Sequence, residues 1–209
     1  MRDETQALLY VIAAGALFLV AAKVLARPRS AGLRHPSRIA CLGDSLTAAG
    51  LYCGDVAGML GCEAKAFGYS SQGVGVVGAH VDDVIEWQPD AVVVLAGVND
   101  LPSSNGAKAV IAGLTDIYSA LKERGIAVVA VEITPWHGYS RAVGFEGNTE
   151  TVNRWIRHTA NVDAVVRTAS LGDAQYRLLK KYDAGDGLHL DREGQAALAE
   201  LIARQGFGR

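Results

Sequence analysis

Ala91-Val92-Val93-Val94-Leu95 is apolar at every position. A strand built on it has no solvent face, so it must lie inside a sheet covered on both sides, as parallel sheets are. Directly after it come Ala96-Gly97-Val98-Asn99-Asp100, where a fully apolar run gives way to glycine and side-chain amide and carboxylate groups. In open parallel sheets the chemistry gathers at such strand ends.

Outward from this strand the same alternation repeats. Short β-branched runs at 38–42, 63–67, 126–133 and 163–168 predict further strands, separated by longer amphipathic stretches. Residues 107–123 have helical spacing and end in Lys122-Glu123-Arg124-Gly125, a C-terminal stop. A helix is expected from about residue 50 to 60, and Asp191 is a suitable N-cap for a last helix reaching about residue 204. The pattern is that of an α/β domain with a parallel sheet of about five strands, spanning residues 37–209.

Composition agrees and excludes other classes. Of 209 residues, 50% are hydrophobic, enough to bury a core, so wholesale disorder is excluded. Twenty-four glycines fit a loop-rich α/β fold better than a bundle. The net charge of -2 gives no electrostatic footprint for nucleic acid. Cys41, Cys53 and Cys62 are too few for a disulfide framework, and without a Cys/His cluster no metal or organic cofactor is expected. Cys41, within the first strand, reads as a buried apolar residue, whereas Cys53 and Cys62 could pair in an oxidising compartment.

Residues 1–26 read as an appendage. No charge interrupts residues 7–22, and with Lys23 the segment is about 20 residues, the length of a membrane-crossing helix. An uncleaved N-terminal transmembrane anchor is the expectation, giving a single-pass membrane location with the membrane as a partner. A cleaved signal segment is the alternative, with small residues near 24–26, although Asp3 and Glu4 spoil the basic start such a segment wants. Residues 27–36 form a basic, proline-containing linker. The positive charges after the apolar run bias the domain toward the cytoplasmic side without settling orientation.

Three polar motifs fall at strand ends or before the last helix: Gly43-Asp44-Ser45-Leu46, Gly97-Val98-Asn99-Asp100 and Asp186-Gly187-Leu188-His189. Each alone is ordinary turn or cap chemistry. Together they supply a serine hydroxyl, a histidine base to deprotonate it, an aspartate to orient that base and an amide donor for an oxyanion. His35, His80 and His158 lie in linker or helix-like contexts, and His137 follows Pro135-Trp136 without a partner in sequence.

These motifs resemble the blocks of the SGNH hydrolases, also called the GDSL esterase/lipase family, and the resemblance runs from about residue 37 to the C-terminus. It implies a three-layer α/β/α flavodoxin-like sheet and ester hydrolysis through an acyl-enzyme. Ser45 matches the nucleophile, Asp186 and His189 the remaining triad members, and Asn99 an oxyanion-hole donor beside the Ser45 N–H. The family's second block departs from pattern here. In Gly68-Tyr69-Ser70-Ser71-Gln72-Gly73, Ser71 stands where the last glycine is expected. A backbone N–H needs no particular side chain, so Ser71 remains a donor candidate, with Gly73 the alternative. The Gly-x-Ser-x-Gly elbow of α/β-hydrolases is missing.

The expected reaction is hydrolysis of a carboxylic ester or thioester on lipid or cell-envelope acyl or acetyl groups. Activity should fall in mild acid, where an imidazole takes up a proton. Trp136, Tyr139 and Phe145 are candidates for a pocket wall. Acyl transfer through the same serine and a non-catalytic binding module are the competing readings.

Overall fold

The computed structural model describes residues 31–209. Its sheet has five parallel strands, β1 (Arg38–Gly43), β2 (Glu63–Gly68), β3 (Ala91–Leu95), β4 (Ala127–Val131) and β5 (Ala164–Val166), in the order β2-β1-β3-β4-β5. The apolar run quoted above is the central strand, and all five of its residues are buried. Alternation along the pleat sends Ala40, Leu42, Val92, Val94 and Val128 to one face and Ile39, Cys41, Val93 and Val129 to the other. Each fully buried valine or leucine contributes about 1.5–3 kcal/mol relative to exposure.

Helices cover both faces. α1 (Ala31–Arg34), α2 (Ser45–Ala48) and α3 (Leu51–Leu60) come early, followed by α4 (Val74–Ala79), α5 (Val81–Glu86), α6 (Gly106–Glu123), α7 (Glu146–His158) and α8 (Arg192–Leu201). In α6 the buried Val110, Leu114, Ile117 and Leu121 recur at helical spacing and face the same layer as Val77, Val84, Val152 and Ile156. On the opposite face α3 and α8 pack Tyr52, Val56, Leu198 and Leu201 against the sheet, and the Tyr52 N–H donates to Gln195 Oε1. Asp191 caps α8, accepting from the Gly194 N–H at 2.8 Å, and the helix passes into a π turn over Ile202–Gly206.

Register decides where the chemistry can sit. Gly43 is level with Gly68 on one side and Leu95 on the other, so three strands end together. A Cβ on Gly43 would lie 2.1 Å from the Leu95 carbonyl oxygen, so only glycine permits this close approach.

Two expectations are corrected. The expected transmembrane helix is not found among the described residues, none of whose helices is long and apolar enough to cross a membrane. The longest described helix, α6, has 18 residues and includes Lys108, Asp116, Lys122 and Glu123. The segment read as an anchor, residues 1–26, lies outside the described residues, and the membrane partner and membrane location inferred from it are withdrawn. The second correction concerns the cysteines. Cys41 pairs with Cys53, with Cα atoms 6.0 Å apart, and Cys62 is free. Cys53 is in the first turn of α3, over β1, whereas Cys62 follows the Gly61 cap at the far end, about 13 Å along the axis.

Candidate active site

The turn after β1 places Ser45 at the first position of α2. Asp44 is its N-cap, with Oδ1 accepting from the Leu46 N–H at 3.1 Å. Across from Ser45 stands a short hairpin. The Asp191 N–H donates to the Tyr182 carbonyl, the Ala184 N–H donates to the His189 carbonyl, both at 2.9 Å, and Asp183 bridges Leu190. Asp186 and His189 belong to its loop.

The side chains meet in one chain of hydrogen bonds. Ser45 Oγ is 3.0 Å from His189 Nε2, and His189 Nδ1 is 2.6 Å from Asp186 Oδ2. With the carboxylate accepting, Nδ1 carries the proton and Nε2 is left to accept from the serine hydroxyl. The other Asp186 oxygen, Oδ1, accepts from the N–H groups of Leu188 at 2.9 Å and His189 at 2.8 Å. Partial burial works to raise the Asp186 carboxyl, but the ring and backbone hydrogen bonds prevail and hold it below the usual carboxylate range.

Asp44 is the reverse case. It is 1% exposed, and burial pushes its carboxyl up to about 6, against the pull of the Leu46 and Gly97 amides and His189. Its Oδ2 completes no hydrogen bond.

The turn after β2 supplies the third element. The Gln72 N–H donates to the Tyr69 carbonyl at 3.2 Å, and Ser71 within this turn has φ 61°, the left-handed conformation in which glycine is usual. Asn99 Nδ2 donates to the Gln72 carbonyl at 2.9 Å, so one of its two N–H groups ties the β3 loop to this turn and the other is left over. Asp100 Oδ2 accepts from the Val74 N–H at 2.8 Å, and burial raises this carboxyl too. Gly73, the alternative donor position, is the N-cap of α4, packed so tightly that a Cβ would meet Asp100 Oδ1 at 2.4 Å. Among the described residues no cluster of His, Cys, Asp and Glu could hold a metal ion.

Residues 41–197 match the family model described as GDSL-like Lipase/Acylhydrolase. The chain belongs to the GDSL family. It is accordingly a carboxylic ester hydrolase, and the matched span contains Ser45, Ser71, Asn99, Asp186 and His189. The fold is shared with a GDSL-like lipase from Bacteroides thetaiotaomicron VPI-5482, with 18% identity, TM-score 0.65, and coverage of 84% of this chain and 92% of that one. A member of the lipolytic protein G-D-S-L family from Veillonella parvula DSM 2008 is 17% identical, with TM-score 0.66 and coverage of 79% and 95%. The lipase/acylhydrolase from Enterococcus faecalis is 18% identical, with TM-score 0.62 and coverage of 80% and 93%. No curated protein matches.

Around this GDSL site the three aromatics of the β4 loop have different fates. Trp136 is 1% exposed and donates from Nε1 to Thr149 Oγ1 at 2.8 Å, so it is core rather than pocket wall. Tyr139 and Phe145 are half-buried. His137 has partners after all: its Nδ1 lies 3.0 Å from the Gln175 carbonyl and its Nε2 3.2 Å from Thr149 Oγ1. Two contributions escaped the sequence reading. Burial of Asp44 depends on the covering layers and leaves no local signal. Asp183, by contrast, sits at the head of an Asp-x-x-Asp-x-x-His spacing whose first member was overlooked.

Proposed function

We propose that the chain hydrolyses accessible carboxylic esters through an acyl-enzyme on Ser45, with His189 as general base and acid and Asp186 as its orienting partner. The single observation that carries this reading is the hydrogen-bonded line from Ser45 Oγ through the His189 ring to Asp186, at 3.0 and 2.6 Å. His189 Nε2 takes the hydroxyl proton as Ser45 Oγ bonds to the carbonyl carbon. The resulting imidazolium is stabilised by Asp186. When the tetrahedral intermediate collapses, Nε2 returns the proton to the leaving alcohol. Water then enters and gives its proton to the same nitrogen as its oxygen bonds to the acyl carbon, and Nε2 passes that proton to Ser45 Oγ as the bond to the acyl carbon breaks and the acid leaves.

The developing oxyanion is held by the Ser45 N–H, the Ser71 N–H and the spare N–H of Asn99 Nδ2. Supporting Ser71 over Gly73 is its left-handed backbone, which takes the conformation a glycine would have at that turn. One such donor is worth about 3–4 kcal/mol in the transition state.

The test uses the full chain and its Ser45→Ala variant on p-nitrophenyl acetate and octanoate. Hydrolysis by the wild type and a loss of about 10³-fold or more in the variant is expected, with a serine-reactive phosphonate adding its mass to the peptide that contains Ser45. A Ser45→Ala protein as active as wild type would overturn the reading.

A further inference from the structure

Asp186 and His189 are exposed groups, with 43% and 42% of their side chains open to solvent. Packing alone therefore does not fix their mutual geometry. The loop between them is packed on one side only: a Cβ placed on Gly187 would meet the Gly138 backbone at 2.5 Å, whereas nothing lies within 4 Å of one placed on Gly185, and both glycines have positive φ, 77° and 111°. An open hollow of about 480 Å³, lined among others by Arg177, Lys180 and Asp183, adjoins the loop and gives water access to its backbone.

One group offsets this freedom. Asp183 Oδ1 accepts from the N–H groups of Gly185 at 2.8 Å, Asp186 at 3.1 Å and Gly187 at 3.0 Å. Asp186 Oδ1 then takes the next two, those of Leu188 and His189. Five consecutive N–H groups are thus gathered by two carboxylate oxygens, and the first carboxylate is anchored where Asp183 bridges Leu190 in the hairpin stem.

We propose that Asp183 is a positioning residue for ester hydrolysis, its carboxylate holding the 185–187 turn so that Asp186 faces the His189 ring. The proposal rests on the Ser45–His189–Asp186 reading above. It differs from a purely stabilising role, because the groups it orders carry the acceptor that sets the imidazole tautomer. A misplacement of about 1 Å in such a constellation costs about 100-fold in rate.

Asp183→Ala, Asp183→Asn and Ser45→Ala are made in the full chain. kcat and KM on p-nitrophenyl acetate are normalised to the phosphonate-titrated active fraction, and melting is followed in parallel. Asp183→Ala should lower the normalised kcat by about 30- to 100-fold with KM little changed. Asp183→Asn, which keeps an acceptor oxygen in place, should stay within about threefold of wild type. Should the alanine variant not fold, Asp183→Glu decides the question, since it keeps the charge but shifts the oxygen by a methylene and should lose kcat likewise. Normalised kcat at the wild-type level in Asp183→Ala, or in Asp183→Glu where the alanine variant does not fold, overturns the proposal, whatever happens to melting. An active Ser45→Ala protein overturns instead the reading on which it stands.

Discussion

Asp44 precedes Ser45 and Asp186 pairs with His189, in opposite surroundings. Asp44 is 1% exposed, accepts one complete hydrogen bond and has its carboxyl pushed up to about 6. Asp186 has 43% of its side chain in solvent, accepts three hydrogen bonds and is held below the usual range. The environment rather than the residue type decides which carboxylate is readily ionised. The serine side of the site is a rigid turn sunk into the sheet edge, whereas the histidine side is an exposed hairpin tied together by carboxylates.

Breaking the exposed side should have the largest effect. Asp186→Asn keeps an acceptor at Oδ1 but can present an N–H to His189 Nδ1, favouring the wrong tautomer, and kcat should fall by about 10⁴-fold. Steady-state kinetics on p-nitrophenyl acetate checks this, and a variant within tenfold of wild type would remove Asp186 from its role. Asp186 also makes its own mark on stability. A depressed carboxyl stabilises the fold above its unfolded value of 3.8, and that contribution disappears only as pH falls below it, through the folded value.

Asp44 should behave in the opposite sense. Its folded value lies above the unfolded one, so its favourable contribution is complete below pH 3.8 and is lost as pH rises through about 6. At pH 8 the buried charge costs about 3 kcal/mol. Asp44→Asn retains the N-cap acceptor. It should therefore be more stable than wild type at pH 8 by an amount of that order, and the gain should shrink toward pH 4.5. Urea denaturation at both pH values measures it, and a gain independent of pH would refute the assignment to ionisation.

A smaller effect should separate the two sides again. The Cys41–Cys53 bridge ties β1, which delivers Ser45, to α3, and it closes a separation of 12 residues. Reduction should lower stability by about 2–3 kcal/mol, and thiol titration of the unfolded, unreduced chain should find one free thiol, Cys62. Three free thiols would contradict the pairing.

Much of this was legible in the sequence because it is local. The wholly apolar 91–95 run could only be an inner strand, and the polar residues after it follow the level at which three strands end together. The remainder depended on distant parts of the chain. Residues 74–79, Val-Gly-Val-Val-Gly-Ala, are valine and glycine except for Ala79 and so have low helix propensity, and α4 forms because Val74 and Val77 are buried against the core. An oxidising compartment would allow Cys53 to pair with Cys62, yet the partner of Cys53 is set by which strand lies under α3. Trp136, a candidate for the pocket wall, is instead buried with its Nε1 donating to Thr149 Oγ1.

The end of β4 is clamped: the Tyr176 hydroxyl donates to the Ile133 carbonyl at 2.7 Å and accepts from Asn153 Nδ2 at 2.9 Å. Two loop residues, Gly138 and Tyr139, touch the histidine hairpin, where a Cβ on Gly187 would sit 2.5 Å from the Gly138 carbonyl carbon and 2.8 Å from the Tyr139 nitrogen. Beyond these contacts the chain rises to Val143, 75% exposed. Ala142, next to it, has no exposure and pins the segment to the core, so an exchange confined to Val143 would alter the outer surface while leaving that pin and the Ser45–His189–Asp186 line untouched.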